Sequence, residues 1–454
     1  MPAILLKISA TLAFPLFILL VHPLGMNWRQ SVVVSGLLLT VIWWTTGIVK
    51  KIPASIFLLV LFAFFSGVPL KTVFAFPLSE SFFLIALTYL FSQAISKSGL
   101  IDKVFKPLLF RLATTPFRVI LAIIAMYIIT IYIIPQPLAR LIIVAVMFKE
   151  YFESSNLDKE SRQVLMFACV IYYVLVNMML KSADIIVNTA IVAFAHIEMD
   201  DGLWLSYMAV PTFITGILVS AVFFFIFRKN LTGISIQLER AGAADPRGMP
   251  KFSVKEKSIL VLIALTVAFW MSSGLHHISP TIITACATGI LFIIRALNIQ
   301  DLKAIDSTTL VFLSAAFSIG GVIQGCGAAD RIFSALKVLF PPEYSLLYAA
   351  ILVLVCMVMH MILGSNTTTL SVVIPGLLVI SAGRIAQPVL MFIAYTSMIF
   401  HAILPFHSVS MMICTSYNYF PGSYVTRMGV PLTALVFFVI LFVYIPWWRF
   451  MGYF

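Results

Sequence analysis

The chain has 454 residues, of which 62% are hydrophobic and 10% are charged, and its mean hydropathy is +1.09. Soluble domains carry about 25% charged residues, so this composition excludes a soluble protein and indicates a helical protein that crosses a lipid bilayer many times. The net charge of +12 does not indicate nucleic-acid binding, because membrane proteins concentrate Lys and Arg in their cytoplasmic loops.

Apolar runs of about 20 residues predict membrane-spanning helices along the whole chain. We count about eleven of them, two of which continue beyond a polar interruption. The first run lacks a small-residue cleavage site, so we expect a first helix and not a removed signal peptide. The predicted spans are 4–21, 30–49, 52–68, 80–96, 164–181 continuing to 197, 203–227, 257–273, 280–296, 308–325, 388–405 continuing to 418, and 429–450.

Two further apolar segments, 117–150 and 344–382, are too long for one helix and have a proline or polar break in the middle. We predict that each is a re-entrant hairpin, which enters the membrane, turns and leaves by the same side. Hydroxyl and amide groups are costly in hydrocarbon unless something satisfies them, so such a tip lies inside protein or lines a wet cavity. The polar tip Ser365, Asn366 and Thr367 is therefore the best candidate for a binding site.

The basic residues predict how the chain is oriented. Most of the 29 Lys and Arg residues fall on one side when the N-terminus is cytoplasmic and the C-terminus is outside. In this orientation, hairpin 117–150 opens inward and hairpin 344–382 opens outward. The short basic segment 99–113 is expected to lie at the membrane surface. The expected location is the plasma membrane, here a bacterial inner membrane.

A polar linker, 228–256, divides the chain into two halves with the same order of elements. Each half has a span, a short amphipathic piece, a hairpin and a broken helix. Because an odd number of spans separates the halves, they are predicted to be inverted repeats, which are typical of secondary transporters. The predicted domains are scaffold helices 1–79, a first repeat 80–227 with broken helix 164–197, the linker, scaffold helices 257–307, and a second repeat 308–454 with broken helix 388–418.

Three segments carry a family resemblance. Trp44–Gly47 resembles the start of a W-x-T-E-A-x-P segment, although Gly47 replaces its Glu. Ser365–Thr367 matches a Ser-Asn-Thr hairpin tip. Leu404–Pro405, followed by His407–Ser408, lies where a Leu-Pro break precedes Thr-Pro-Pro-Asn. In these segments and in its topology, the chain resembles the divalent-anion:sodium symporter family, whose members carry dicarboxylates, citrate or sulfate.

The resemblance implies an elevator-type carrier, a homodimer, and a small anion held between the two hairpin tips. It also implies sodium ions, each held by one tip and the broken helix beside it; no other cofactor is implied. Carried over to this chain, the second-half site uses Ser365, Asn366 and Thr367. Ser365 and Asn366 are the implied sodium ligands. Ser408 and Ser410 of the broken helix are the implied contacts on the other side.

The first half departs from the family pattern. Pro135-Gln136-Pro137 replaces Ser-Asn-Thr, and the stretch from Lys181 to Asp184 replaces Thr-Pro-Pro-Asn. The family's first sodium site therefore cannot be built from its usual ligands. We expect fewer sodium ions in each cycle, or coupling to protons, or exchange. Gln136 and Pro137 remain candidate substrate contacts, because the Gln136 amide can replace an Asn amide as a hydrogen-bond partner.

Charged residues inside apolar segments are costly and mark transport pathways. Lys181 and Asp184 are three residues apart, so they could pair on one helical face. Lys181 could act as a tethered cation near the first sodium position, exchange protons with Asp184, or reach the membrane surface. Arg140 could bind the anion through its fork of donors, pair with Asp184, or stay at the cytoplasmic surface. His407 could carry a proton, since histidine titrates near neutral pH.

The sequence thus predicts a secondary active transporter of a small anion, either an organic di- or tricarboxylate or an inorganic oxyanion. Coupling is predicted to sodium at one site or to protons. Two rival functions remain open, a non-transporting sensor or partner subunit and an anion exchanger or leak channel. An enzyme using Lys181 and His407 is disfavoured, because the sequence contains no nucleophile with a base and an orienting group.

Overall fold

The computed structural model describes residues 2–99, 103, 113–237, 252–272, 276–363 and 366–454. Within these ranges every regular element is a helix. Most of the interfacial segment 99–113, the middle of the linker 228–256, and Ser365 lie outside the described residues. Apart from the hairpins and broken helices, the long helices are Pro2–Val21, Trp28–Thr46, Lys51–Phe65, Glu80–Ser98, Asp201–Ile226, Val254–Met271, Pro280–Ile293, Ser307–Gly325 and Gly422–Phe450.

The ends of the helices follow from local side-chain chemistry. Asn27 and Gln30 form a reciprocal capping box, with both backbone N–H groups 2.9 Å from the side-chain oxygens, so a helix begins at Trp28. That helix ends at Gly47, which adopts a left-handed conformation with φ of 67°. Gly99 ends the helix Glu80–Ser98 in the same way. Glycine is favoured there because it has no Cβ to clash in this conformation.

Each half of the chain contains a helical hairpin. The first hairpin consists of Pro116–Ile133 and Pro137–Glu153, and the second consists of Leu346–Leu363 and Asn366–Ile380. Pro137 is the first residue of its helix, where the missing N–H costs no hydrogen bond. The two arms of each hairpin lie side by side, as the predicted segments 117–150 and 344–382 require.

Each half also contains a helix interrupted in the middle. The first broken helix consists of Lys159–Asn177 and Val187–Phe194, and the second consists of Gln387–Ile399 and Val409–Ser416. In both, the chain passes through an extended leucine, Leu180 or Leu404, and then makes one 3-10 turn. The two interruptions therefore share one local geometry although their sequences differ.

Two apolar cores organise the packing. One joins both hairpins, both broken helices and the helices Asp201–Ile226 and Gly422–Phe450. The other joins the first three helices to Ser307–Gly325. The arm Asn366–Ile380 of the second hairpin contacts Ser307–Gly325 and also Val187–Phe194 of the first broken helix. The second hairpin therefore connects the two cores.

Four helices in the described part of the chain are long and apolar enough to cross a membrane, judged by length and composition alone. Together with shorter apolar helices, they indicate a polytopic membrane protein. The number of spans, the inversion of the repeats and the orientation of the termini stay predictions. The four helices are Pro116–Ile133, Asp201–Ile226, Ser307–Gly325 and Gly422–Phe450.

Asp301 links two helices at the face predicted to be cytoplasmic. Its carboxylate is 4% exposed, forms an ion pair with Lys97, and accepts the backbone N–H of Asn298 at 2.8 Å. The Lys97 ammonium, and then that N–H, hold the pKa of the Asp301 carboxyl below its usual range. The ion pair fixes the turn Ile299–Ala304 against the end of Glu80–Ser98.

We expect Asp301→Asn to lower the melting temperature at neutral pH. We also expect the melting temperature of this variant to decrease less than that of the wild type as the pH is lowered. A carboxyl whose pKa is lower when folded contributes stability above its unfolded pKa, and this is lost as the pH falls through the folded pKa. Thermal unfolding in detergent between neutral and acidic pH measures the effect. Asp330→Asn, at an exposed position, is the control. A pH curve of Asp301→Asn that overlays the wild-type curve contradicts the prediction.

Candidate functional site

The first hairpin tip is fixed by its own side chains. Gln136 is 3% exposed, and its side-chain oxygen accepts the backbone N–H of Ala139. Its backbone N–H donates to the Ser92 hydroxyl at 3.3 Å. The side-chain oxygen of Gln136 thus caps the second arm, which begins at Pro137. The positive dipole end of this helix favours an anion, although Pro137 has no N–H and the Ala139 N–H is already bonded to Gln136.

Arg140 lies one turn beyond this tip and is fully buried. Its Nη1 donates to the Ile134 carbonyl at 3.2 Å and to the Ile131 carbonyl at 3.4 Å. Its Nη2 donates to the Asn177 side-chain oxygen at 2.6 Å and to the Ala183 carbonyl. The guanidinium therefore joins the hairpin tip to both sides of the interruption in the first broken helix.

The acceptors around Arg140 are all neutral oxygens. Asp184 directly follows Ala183, but its carboxylate accepts the N–H groups of Ile186 at 3.2 Å and Val187 at 3.0 Å. It thereby caps the helix Val187–Phe194. Among the described residues, Arg140 forms no ion pair with Asp184. Arg140 is buried inside the protein at the tip, and whether that tip lies near the cytoplasmic surface stays a prediction.

Lys181 contacts a different part of the chain. Its ammonium donates to the Met199 carbonyl at 2.6 Å, and the neighbouring Ser182 N–H donates to Asp201 at 2.8 Å. The acidic loop before Asp201–Ile226 thus folds against the interruption. The predicted pair between Lys181 and Asp184 is not formed, because the Lys181 ammonium is bonded to the Met199 carbonyl and the Asp184 carboxylate to backbone N–H groups of its own segment.

The second hairpin tip has fewer partners for its polar groups. Asn366 begins the second arm, and its side-chain oxygen is buried with no hydrogen-bond partner among the described residues. Thr367 is half-buried. An amide oxygen accepts only, so it suits a cation or an N–H donor. Ser365, the other implied sodium ligand, lies outside the described residues.

The interruption of the second broken helix is packed under the last long helix. A Cβ built on Gly429 would lie 2.2 Å from the Ala402 carbonyl oxygen, so the two backbones are in direct contact. Ser408 and Ser410 are buried, and their hydroxyl oxygens are 2.8 Å apart. Ser408 also lines a small cavity of about 10 Å³ between these segments.

Three buried histidines meet where the second hairpin approaches this interruption. His360 lies on the first arm of the hairpin, whereas His401 and His407 lie in the interruption. The ring centroid of His360 is 5.5 Å from that of His401 and 5.3 Å from that of His407. From the sequence alone, only His407 is a candidate proton carrier. The signal for the other two was their position beside a predicted tip and a predicted break.

A large apolar cavity of about 1000 Å³ lies between the first two helices and the second arm of the second hairpin. Phe17, Leu38, Ile323, Val372 and Pro375 are among its lining residues. The predicted polar site residues do not line it. The candidate ion and anion site therefore lies elsewhere.

Comparison of the chain with known proteins identifies its family. A family profile described as "Sodium:sulfate symporter transmembrane region" matches residues 3–454. The chain belongs to the sodium:sulfate symporter family. It is also similar to a protein of Cupriavidus necator described as "Membrane protein", with 21% identity over 386 residues, or 82% of this chain and 75% of the relative. Membership in this transporter family supports anion transport and not catalysis.

We expect Gly429→Ala to destabilise the protein by about 1–3 kcal/mol, the usual effect of overpacking a rigid contact. The obstructing atom is a backbone oxygen, so the interruption near Ala402 itself must shift. Gly289→Ala is the control, because nothing lies within 4 Å of a Cβ at that position. Thermal unfolding in detergent measures both variants. Equal melting temperatures for the two would show that the close contact is absent.

Proposed function

We propose that this protein is a secondary active carrier of a small divalent anion, such as sulfate or a dicarboxylate, driven by a cation. Family membership supports a sodium-coupled anion transporter. In each half, an interrupted helix supplies free backbone groups beside a hairpin. The observation that carries the finer proposal is the environment of Arg140.

In this proposal, the guanidinium of Arg140 takes the place of a first-half sodium ion. It is held by oxygens from the hairpin, including the Ile134 carbonyl, and by the Ala183 carbonyl and Asn177 amide of the broken helix. Neutral oxygens from these two segments are the groups that would coordinate a sodium ion. Arginine stays protonated in proteins, so this cation is permanent. Its burial is tolerated because several acceptors compensate for the lost water.

Lys181 is less suited to that role. Its ammonium is bonded to the loop at Met199, so it faces away from the oxygens that hold Arg140. We propose that Lys181 positions this loop against the broken helix, and that Asp184 orders the helix that follows it. Because the fixed charge of Arg140 replaces one mobile sodium ion, the carrier then needs only one sodium ion, which binds in the other half.

That sodium ion is proposed to bind at the second tip. The buried side-chain oxygen of Asn366, which has no hydrogen-bond partner in the part of the chain that the structure describes, supports this site. Ser365, Thr367, Ser408 and Ser410 are the proposed neighbours of the ion. The anion would bind between the two tips, attracted by the sodium ion and by the fixed charge of Arg140. The dipole of the helix that begins at Pro137 would favour the anion, and the helix N-terminus at Asn366 would supply N–H donors.

The test of this function is uptake of radioactive sulfate and succinate by proteoliposomes under an imposed sodium gradient. We expect uptake to be first order in sodium, because one of the two cation positions is occupied by Arg140. Thermal stability with each anion in sodium, potassium or choline salts gives an independent reading of binding. A steep dependence on two or more sodium ions would contradict the proposal. No uptake and no stabilisation would favour a non-transporting protein.

We expect Arg140→Gln to lower stability by about 2 kcal/mol or more, because several buried carbonyls lose their donor. Arg140→Lys keeps the charge but cannot supply the same fork of donors, so we expect it to retain more stability than Arg140→Gln and to lose most sulfate uptake. Arg118→Gln, at an exposed position on the same hairpin, is the matched control. Wild-type uptake by Arg140→Gln would contradict the assigned role.

A further inference from the structure

The three histidines of the cluster in the second half are more deeply buried than the other histidines of the chain. His360, His401 and His407 are 0%, 2% and 0% exposed. The remaining four of the seven histidines, His22, His196, His276 and His277, are half-buried or exposed. Burial of three titratable rings together is unfavourable for ordinary packing, since burying polar groups costs free energy unless each is satisfied.

The contacts of His360 define what the cluster can bind. Its Nε2 lies 3.3 Å from the His407 carbonyl oxygen, and its Nδ1 lies 3.3 Å from Nδ1 of His401. A carbonyl oxygen can only accept, so Nε2 carries a hydrogen. A contact between two ring nitrogens needs one donor and one acceptor. In the neutral pair, Nδ1 of His401 therefore donates to Nδ1 of His360.

One added proton fits this arrangement without moving a ring. When His360 is protonated, its Nδ1–H donates to His401, and His401 shifts its own hydrogen to Nε2. Both donors of the His360 imidazolium then have acceptors, the His401 ring and the His407 carbonyl. A second proton would place two cations at a contact of 3.3 Å, which like-charge repulsion opposes. The pair thus holds one proton and not two.

The second hairpin and the second broken helix contribute no acidic side chain to neutralise this proton, since the sequence from Tyr344 to Phe454 contains no Asp, Glu or Lys. The electrostatic neighbours of His360 are His401 and His407. In the second half, the other titratable or charged side chains on or beside the elements packed around the cluster are Tyr348, Cys356, Arg384, Tyr395, Cys414, Tyr417, Tyr419, Tyr424, Arg427, Tyr444 and Arg449. On the first-half helices that contact these elements they are Arg29, Lys159, Glu160, Arg162, Cys169, Tyr172 and Tyr173, and Asp184 is an electrostatic neighbour of Tyr395.

We propose that the His360–His401 pair is a proton-binding site, and that its single proton is carried together with the anion. This inference rests on the proposed function and adds a second coupling ion to it. His360 belongs to the hairpin, whereas His401 and the His407 carbonyl belong to the interruption. The bound proton strengthens the contacts between these two elements, so the hairpin is held closed when the pair is protonated. The added positive charge also favours an anion at the neighbouring tip.

The experiment uses wild-type protein in liposomes that contain a pH-sensitive dye, with radioactive sulfate outside and a constant sodium gradient. We expect acidification of the interior to accompany sulfate entry in a fixed ratio, and the rate of uptake to rise as the outside is acidified. Succinate is run in parallel with sulfate. Uptake of either anion without any proton entry overturns the proton site but leaves the carrier function intact.

His401→Asn and His360→Gln separate the pair from the rest of the carrier. The Asn amide occupies the position of the ring Nδ1, and the Gln amide that of Nε2, but neither can titrate. We expect sulfate uptake by both variants to fall to the sodium-driven rate that the wild type shows at alkaline pH, where the pair is unprotonated, while proton entry falls to background and the pH profile flattens. His277→Asn is the control, at an exposed residue with φ of 56°, which Asn tolerates. Unchanged proton entry in either variant of the pair refutes the proposal.

A measurement without transport distinguishes failure of the site from failure of the function. Nitrogen-15 NMR of histidine-labelled protein in detergent follows each ring during a pH titration. We expect His360 and His401 to change together, in one step that corresponds to a single shared proton. If wild-type protein moves neither anion, the proposed function fails. Rings that titrate independently, or that do not titrate, then overturn the proton site as well.

Discussion

A helix that is interrupted inside a membrane leaves peptide groups without partners, and this requirement governs both halves of the structure. Water is absent from the hydrocarbon, so each free carbonyl needs a donor from the protein or from a bound ion. In the first half, Arg140 supplies that donor to the carbonyls of Ile131, Ile134 and Ala183. Asn188 does the same for Asn177 and Leu180 at 3.0 Å each. The hairpin and the broken helix are thereby joined into one unit.

The two halves satisfy this requirement with different chemistry. In the first half the donors are permanent side-chain groups, so the interruption keeps its partners whether or not a ligand is bound. In the second half, the side-chain oxygen of Asn366 has no partner among the described residues, and the interruption contains the paired hydroxyls of Ser408 and Ser410 and buried imidazoles. In the proposals made above, these groups bind a cation and a proton that can leave. The two interruptions share their backbone geometry at Leu180 and Leu404, so the proposed fixed unit and the proposed exchangeable unit are built on one local fold.

The positions of the helices, hairpins and interruptions could be predicted from the sequence because apolar length and polar breaks are strong signals in a membrane. The predicted hairpins 117–150 and 344–382 differ by a few residues from the helical arms. Side-chain partners could not be predicted. The spacing of Lys181 and Asp184 suggests a pair, but tertiary and local backbone groups, the Met199 carbonyl and the N–H groups of Ile186 and Val187, take their side chains instead. His360 and His401 are distant in sequence, so only tertiary packing could show their contact.

The permanence of the Arg140 charge has an electrical consequence. A carrier that holds sodium in both halves releases both ions and returns without them. A carrier with a built-in guanidinium moves that charge in every crossing, loaded or empty. In the proposed cycle, a divalent anion, one sodium ion, one proton on the histidine pair and Arg140 give the loaded unit one net positive charge, the same as the empty unit with Arg140 alone, so membrane voltage acts on both crossings. One charge crossing 100 mV corresponds to about 2.3 kcal/mol, and a negative interior would draw the empty unit inward.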